Sequence, residues 1–210
     1  MSSLPLFSAV LASSSDPGSP LAQALVILFE PSTTLYTHLL PQLAQHLPSA
    51  NVAAYNDLID ASLHVISLWD DVLKAEFIAG HPRIGEMQNL SHLSSKEQAA
   101  VATPPEVLAR LKYLNAYYEY RYPGLRYITF VNGRSRAMIK EEMEDVLGLP
   151  HSLDAREEAR DMSTVMVGGK EWRAELERAV QEVGRIAKSR LSTLGASEEE
   201  NVLVGLSLIS

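Results

Sequence analysis

The longest regular pattern in the chain is the stripe Leu176, Ala179, Val180, Val183, Ala187, Leu191 and Leu194. It recurs at three- and four-residue steps and predicts a helix from Lys170 to Leu194. Gly168-Gly169 before it and Gly195 after it supply the breaks. A second stripe, Tyr55, Leu58, Ile59, Ser62, Val65, Ile66 and Trp69, predicts an amphipathic helix over 55–69. Leu35, Leu39, Leu40 and Leu43 place a helix over 32–46, closed by Pro48, and another precedes it over 20–29. The same reading gives helices over 94–101, 105–121 and 135–147, the last stopped by Gly148 and Pro150. Arg126-Tyr127-Ile128-Thr129-Phe130-Val131 is the only β-like run, and one strand makes no sheet. With short connections and no internal repeat, the chain is expected to be all-α, a compact single-domain helical bundle with at most one short extended segment.

Composition narrows this picture. A chain of 210 residues with 46% hydrophobic content can bury a substantial core. Residues 13–20, Ser-Ser-Ser-Asp-Pro-Gly-Ser-Pro, divide a flexible or lightly docked arm over 1–19 from a helical domain over 20–210. A formal charge of -8 argues against nucleic acid or an anionic membrane surface as partner. Without cysteine there is no disulfide framework, no thiolate nucleophile and no Cys-based zinc site. The first basic residue is Lys74, so neither a secretory signal nor a basic presequence is expected at the N-terminus. Leu208-Ile209-Ser210 is not a clear peroxisomal tripeptide; a cytoplasmic location is the expectation, with the peroxisome left open.

Three groups of residues carry candidate chemistry. In Ala79-Gly80-His81-Pro82-Arg83-Ile84-Gly85 the proline disfavours helical dihedrals at His81 and mounts the imidazole in a turn after a helix. Histidine changes charge near neutral pH, so such a mount suits proton transfer; from these residues alone, a helix-ending turn in which His81 caps a carbonyl is the plainer reading. Ser94-Ser95-Lys96-Glu97-Gln98 fits a capping box, in which Ser94 and Glu97 satisfy backbone donors, and the same helix start offers N–H groups to a polar ligand. Arg190 falls on or beside the apolar stripe of the last helix. There it either meets a carboxylate or polar ligand, or turns its head to solvent near the helix C-terminus. The other histidines show no metal-ligand spacing, and no phosphate-binding glycine loop or nucleophile elbow occurs, so no metal is expected.

Taken in order, Gly80-His81-Pro82-Arg83-Ile84-Gly85, Ser94-x-x-Glu97-Gln98, Asn115 with Tyr118, and Tyr127-Ile128-Thr129-Phe130-Val131-x-Gly133-x-Ser135 resemble the 2-oxo-4-hydroxy-4-carboxy-5-ureidoimidazoline decarboxylase family. The likeness extends from about Phe29 to Leu194, with Tyr122-Pro123-Gly124-Leu125 and the stretch Leu153 to Gly169 departing from the usual pattern. It implies a cofactor-free carboxy-lyase of urate breakdown that forms (S)-allantoin and acts as a homodimer on a small-molecule substrate. It also implies that His81 is catalytic with Glu97 assisting, and that Pro82, Ser94, Gln98, Arg190 and the main chain of Ile128, Thr129 and Phe130 contact the substrate. Two other readings stand beside it: a non-catalytic helical interaction module, and a cyclic-ureide hydrolase in which His81 activates water.

Overall fold

The structure is a computed structural model that describes residues 3–86, 103–154 and 163–195. The fold is all-α, and no strand occurs among the described residues. The chain divides into two compact units, Met1–Gly80 with Val183–Ser210, and His81–Glu182. The predicted helix over 94–101 lies outside the described residues.

In the first unit, α1 (Phe7–Leu11) precedes α2 (Pro20–Phe29). Ser19 caps α2 by accepting from the Ala22 N–H, with Pro20 at the first helical position, where a missing N–H costs nothing. The arm is held on this unit: Val10 is fully buried, the Tyr55 hydroxyl donates to the Pro5 carbonyl at 2.6 Å, and the Phe7 and Tyr55 rings meet edge to face.

The helix predicted over 32–46 is present but irregular. It opens as a π-helical turn, Leu35–Leu39, and becomes α3 (Leu40–His46). Pro41 explains the change, because it has no N–H to donate one turn back and its ring crowds that carbonyl, which the wider turn accommodates. Next comes α4 (Tyr55–Ser67), whose Asp57 carboxylate receives the Ala53 and Ala54 N–H groups. The helix expected before His81 is α5 (Asp71–Ala79), which Asp70 caps by accepting from the Leu73 N–H at 2.8 Å.

The second unit contains α6 (Pro105–Arg121) packed on α7 (Arg136–Leu147). Ser135 caps α7, and Gly148 ends it in the left-handed region at φ 66°, where a side chain would be strained. The final helix, α8 (Lys170–Thr193), contributes residues up to Glu182 to this unit and the remainder to the first. There, a β-carbon on Gly184 would stand 2.7 Å from Leu63 Cδ1, so α4 and α8 approach closely only because residue 184 lacks one.

Residues 126–131, the expected extended segment, lie outside any helix, and side chains satisfy part of its backbone where a sheet would otherwise do so. Arg178 of α8 donates to the Ile128 carbonyl at 2.8 Å, Glu182 accepts the Phe130 N–H at 2.7 Å, and Arg134 donates to the Phe130 carbonyl. No described helix is long and apolar enough to cross a membrane.

Candidate active site

His81 opens the second unit, immediately after Gly80 at the C-cap of α5. Gly80 is needed there, since a β-carbon would lie 2.6 Å from Ser32 Cβ. His81 is 3% exposed, so it is a buried residue and not a solvated turn residue. Its main-chain carbonyl accepts a hydrogen bond from Arg126. The turn that follows is pinned to α6: Asn115 Nδ2 donates to the Ile84 carbonyl at 2.9 Å, and Glu119 takes the Arg83 guanidinium in two bonds of 2.6 and 3.0 Å. This paired, fork-to-fork contact holds Arg83 fully cationic, pushing its pKa above the ordinary value. Burial acts oppositely on Arg126 and, with Arg83 nearby, lowers its pKa.

The extended segment joins this turn through Arg126 and is anchored on its other side by a polar network. Tyr118 donates to Glu175, which also binds Arg178 in two bonds of 2.7 and 2.9 Å, and the Arg178 guanidinium lies over the Tyr127 ring. Burial drives the Tyr118 hydroxyl pKa far upward, with Glu175 adding to the effect, so it stays a donor. Burial likewise raises the Tyr127 hydroxyl to about 12.

The predicted site residues therefore fall into three sets. His81, Pro82 and the segment Ile128–Phe130 lie in the second unit, linked by the bond from Arg126 to His81. Ser94, Glu97 and Gln98 lie outside the described residues. Arg190 belongs to the first unit and is 3% exposed, which removes the solvent-facing option for its head. It pairs with Glu30 at 2.5 Å and donates to the Ile27 and Leu28 carbonyls at the end of α2. Glu30 adopts φ 69°, a conformation rare for a side-chain-bearing residue, which costs of order 1 to 3 kcal/mol and is held in place by this pair.

The sequence reading missed Arg126 and Glu119. Glu119 had a usable signal, since Leu111, Asn115 and Glu119 recur four residues apart on one face of α6. Arg126 had none, because an arginine opening a β-like run looks like a solvated end.

Comparison with known proteins decides between the readings left open by the residues. The family model described as OHCU decarboxylase matches residues 17–192. The chain belongs to the OHCU decarboxylase family. It is accordingly a carboxy-lyase of urate degradation acting on a small molecule, and the interaction-module reading falls away. No curated protein and no solved structure matches the chain. Within the family match lie both the His81 turn and the 126–131 segment, and the Glu30–Arg190 pair falls inside it as well.

Proposed function

We propose that the chain decarboxylates 2-oxo-4-hydroxy-4-carboxy-5-ureidoimidazoline to (S)-allantoin without a cofactor, with His81 as the general acid/base. The observation that carries this reading is the placement of His81: a buried residue in a turn held through the His81 and Ile84 carbonyls and the Arg83 side chain. A histidine that merely ended a helix would need no such mounting.

The chemistry explains why one proton carrier suffices. The substrate carbon that loses carbon dioxide also bears a hydroxyl and neighbours a carbon doubly bonded to nitrogen. When the bond to the carboxylate breaks, its electron pair forms a C=C bond to that neighbour. The former C=N pair moves onto nitrogen, which takes up a proton. The resulting enol then surrenders its hydroxyl proton and gains one on the neighbouring carbon, which leaves a carbonyl and the stereocentre of allantoin. The substrate is its own electron sink, so the protein has only to bind the ring and move protons on one face. General acid/base help of this kind is worth roughly 10² to 10⁴ in rate.

In this reading Glu97 orients the imidazole or binds ring N–H groups, and Ser94, Gln98 and Pro82 hold the ring. The Phe130 N–H is engaged by Glu182, so the main-chain contact to substrate falls to Ile128 or Thr129. Arg190 serves the fold through Glu30. The enzyme works as a cytoplasmic homodimer, a state that light scattering on the purified protein checks directly.

The test is His81→Asn. Asn keeps some hydrogen bonding at residue 81 but cannot exchange a proton near neutral pH, so turnover drops by roughly 10² or more while the helical circular dichroism is unchanged. The substrate is generated enzymatically, and both carbon dioxide release and the dichroism of allantoin are followed. Wild-type turnover in a folded His81→Asn protein would sink the assignment, and ring opening without carbon dioxide would point to hydrolysis.

A further inference from the structure

The turn 81–86 is held from two sides of the sequence, by α6 and by Arg126 of the segment 126–131. Along α6, Leu111, Asn115 and Glu119 form one stripe against it. Leu111 Cδ1 would lie 3.2 Å from a β-carbon on Gly85, which itself needs φ 81°. Asn115 spends both amide hydrogens on carbonyls, Ile84 at 2.9 Å and Leu111 at 2.8 Å, and this fixes which end of the amide is nitrogen. Its Oδ1 is buried with no hydrogen-bond partner among the described residues.

Arg126 completes the grip at the residue that matters most. It enters from the extended segment, donates to the His81 carbonyl and forms no ion pair among the described residues. Its rigid fork is what lysine or glutamine would lack, and it constrains direction as well as distance.

We propose that Arg126 is the positioning residue of His81, setting the backbone from which the imidazole reaches the substrate, while Asn115 and Glu119 hold the residues that follow. The proposal rests on the reading of His81 as the proton carrier. Arg126 acts through His81, so its loss misplaces the imidazole and leaves ring binding intact.

The experiment compares Arg126→Gln, Arg126→Lys and Glu119→Gln with His81→Asn in the full-length protein. Arg126→Gln is expected to lower kcat roughly 10- to 100-fold with KM changed less than about threefold, the cost of a small misplacement. Millimolar guanidine restores part of that loss, and Arg126→Lys is intermediate. The His81 ring resonance, assigned by its disappearance in His81→Asn, moves in Arg126→Gln and in Glu119→Gln. An unmoved resonance overturns the proposal whatever the kinetics show. So does wild-type kcat in Arg126→Gln when His81→Asn is inactive, and so does a rise in KM alone, which would make Arg126 a substrate contact. If Arg126→Gln does not fold, the same resonance and kcat in Arg126→Lys decide. Full activity in His81→Asn would instead remove the proton-carrier reading, an outcome the ring resonance separates from failure of the grip.

Discussion

Leu21, Leu25 and Leu28 of α2, Leu40 and Leu43 of α3, Leu58, Ile59 and Ile66 of α4, and Ala187 and Leu191 of α8 fill the first unit with hydrocarbon. The second unit buries Arg110, Lys140 and Glu144 between α6 and α7 beside its apolar residues, and it ties an extended segment down with Arg178, Glu182 and Arg134. Apolar burial is non-directional and gives a generally stable frame, whereas paired charges and hydrogen bonds fix particular atoms in particular places. The candidate chemistry sits where the second kind of interaction dominates. A proton carrier that must be placed to within a fraction of an ångström gains more from directional contacts than from additional area.

The largest effect expected from this contrast is at Glu144. Its carboxylate is fully buried and shared by two cations, Arg110 Nε at 2.8 Å and Lys140 Nζ at 2.9 Å. Glu144→Gln removes that shared counter-charge while keeping the shape, and should cost about 3 to 5 kcal/mol, comparable to deleting a core leucine of the first unit. Arg110→Met should cost less, because Lys140 and Glu144 still pair. Urea unfolding of both variants checks the order. Equal costs would mean that the two cations are not competing for one carboxylate.

The same division explains what was legible in the sequence. Helices of the first unit announce themselves through apolar spacing: the predicted inward face from Tyr55 through Ile66 of α4, with Trp69 just past its end, is the buried face. The helices over 20–29 and 105–121 have the predicted limits, because Ser19-Pro20 and Pro104-Pro105 punctuate their starts. Pro41 hid the π-helical turn, because its effect is on the backbone ahead of it and leaves the leucine spacing unchanged. In the second unit the turn at His81 was visible as Gly-His-Pro, yet the residues that hold it were not. Arg126 and Glu182 act on backbone atoms of residues distant in sequence, and no local periodicity records such a contact. The same blindness left Arg190 with open readings until Glu30, 160 residues away, came into view.

A middle-sized effect comes from pH. Burial holds the Tyr127 hydroxyl neutral up to about 12, while an unfolded tyrosine ionises near 10. The raised value means that its stabilisation is complete below about pH 10 and is lost as pH climbs through about 12, because the unfolded chain releases its proton first. The loss amounts to about 2 to 3 kcal/mol over that window. Tyr118, pushed upward by burial and by Glu175, adds to it. Tyr127→Phe should therefore flatten the alkaline fall in urea midpoint between pH 9 and 11 without abolishing it. Identical slopes for the two proteins would show that Tyr127 opens to solvent before it ionises.

The smallest effect tests the comparison within a single turn of α8. Lys188 and Arg190 are two residues apart, and each meets a carboxylate of the first unit. Lys188 reaches Asp60 at 2.8 Å, but the two side chains are 49% and 60% exposed, whereas the Arg190 and Glu30 side chains are 3% and 5% exposed. In water the Lys188–Asp60 attraction is screened and offset by the rotamer freedom that both chains give up, so Lys188→Ala should change stability by about 0 to 1 kcal/mol. Breaking the buried pair with Glu30→Gln should cost several times more, because Arg190 is left in a site closed to water. Raising salt from 0.1 to 1 M should erase the Lys188 difference and leave the Glu30 difference nearly intact. If the two variants respond to salt alike, then water reaches Arg190 in solution, and the distinction between a first unit that seals the Glu30–Arg190 pair in hydrocarbon and a charged second unit loses its physical basis.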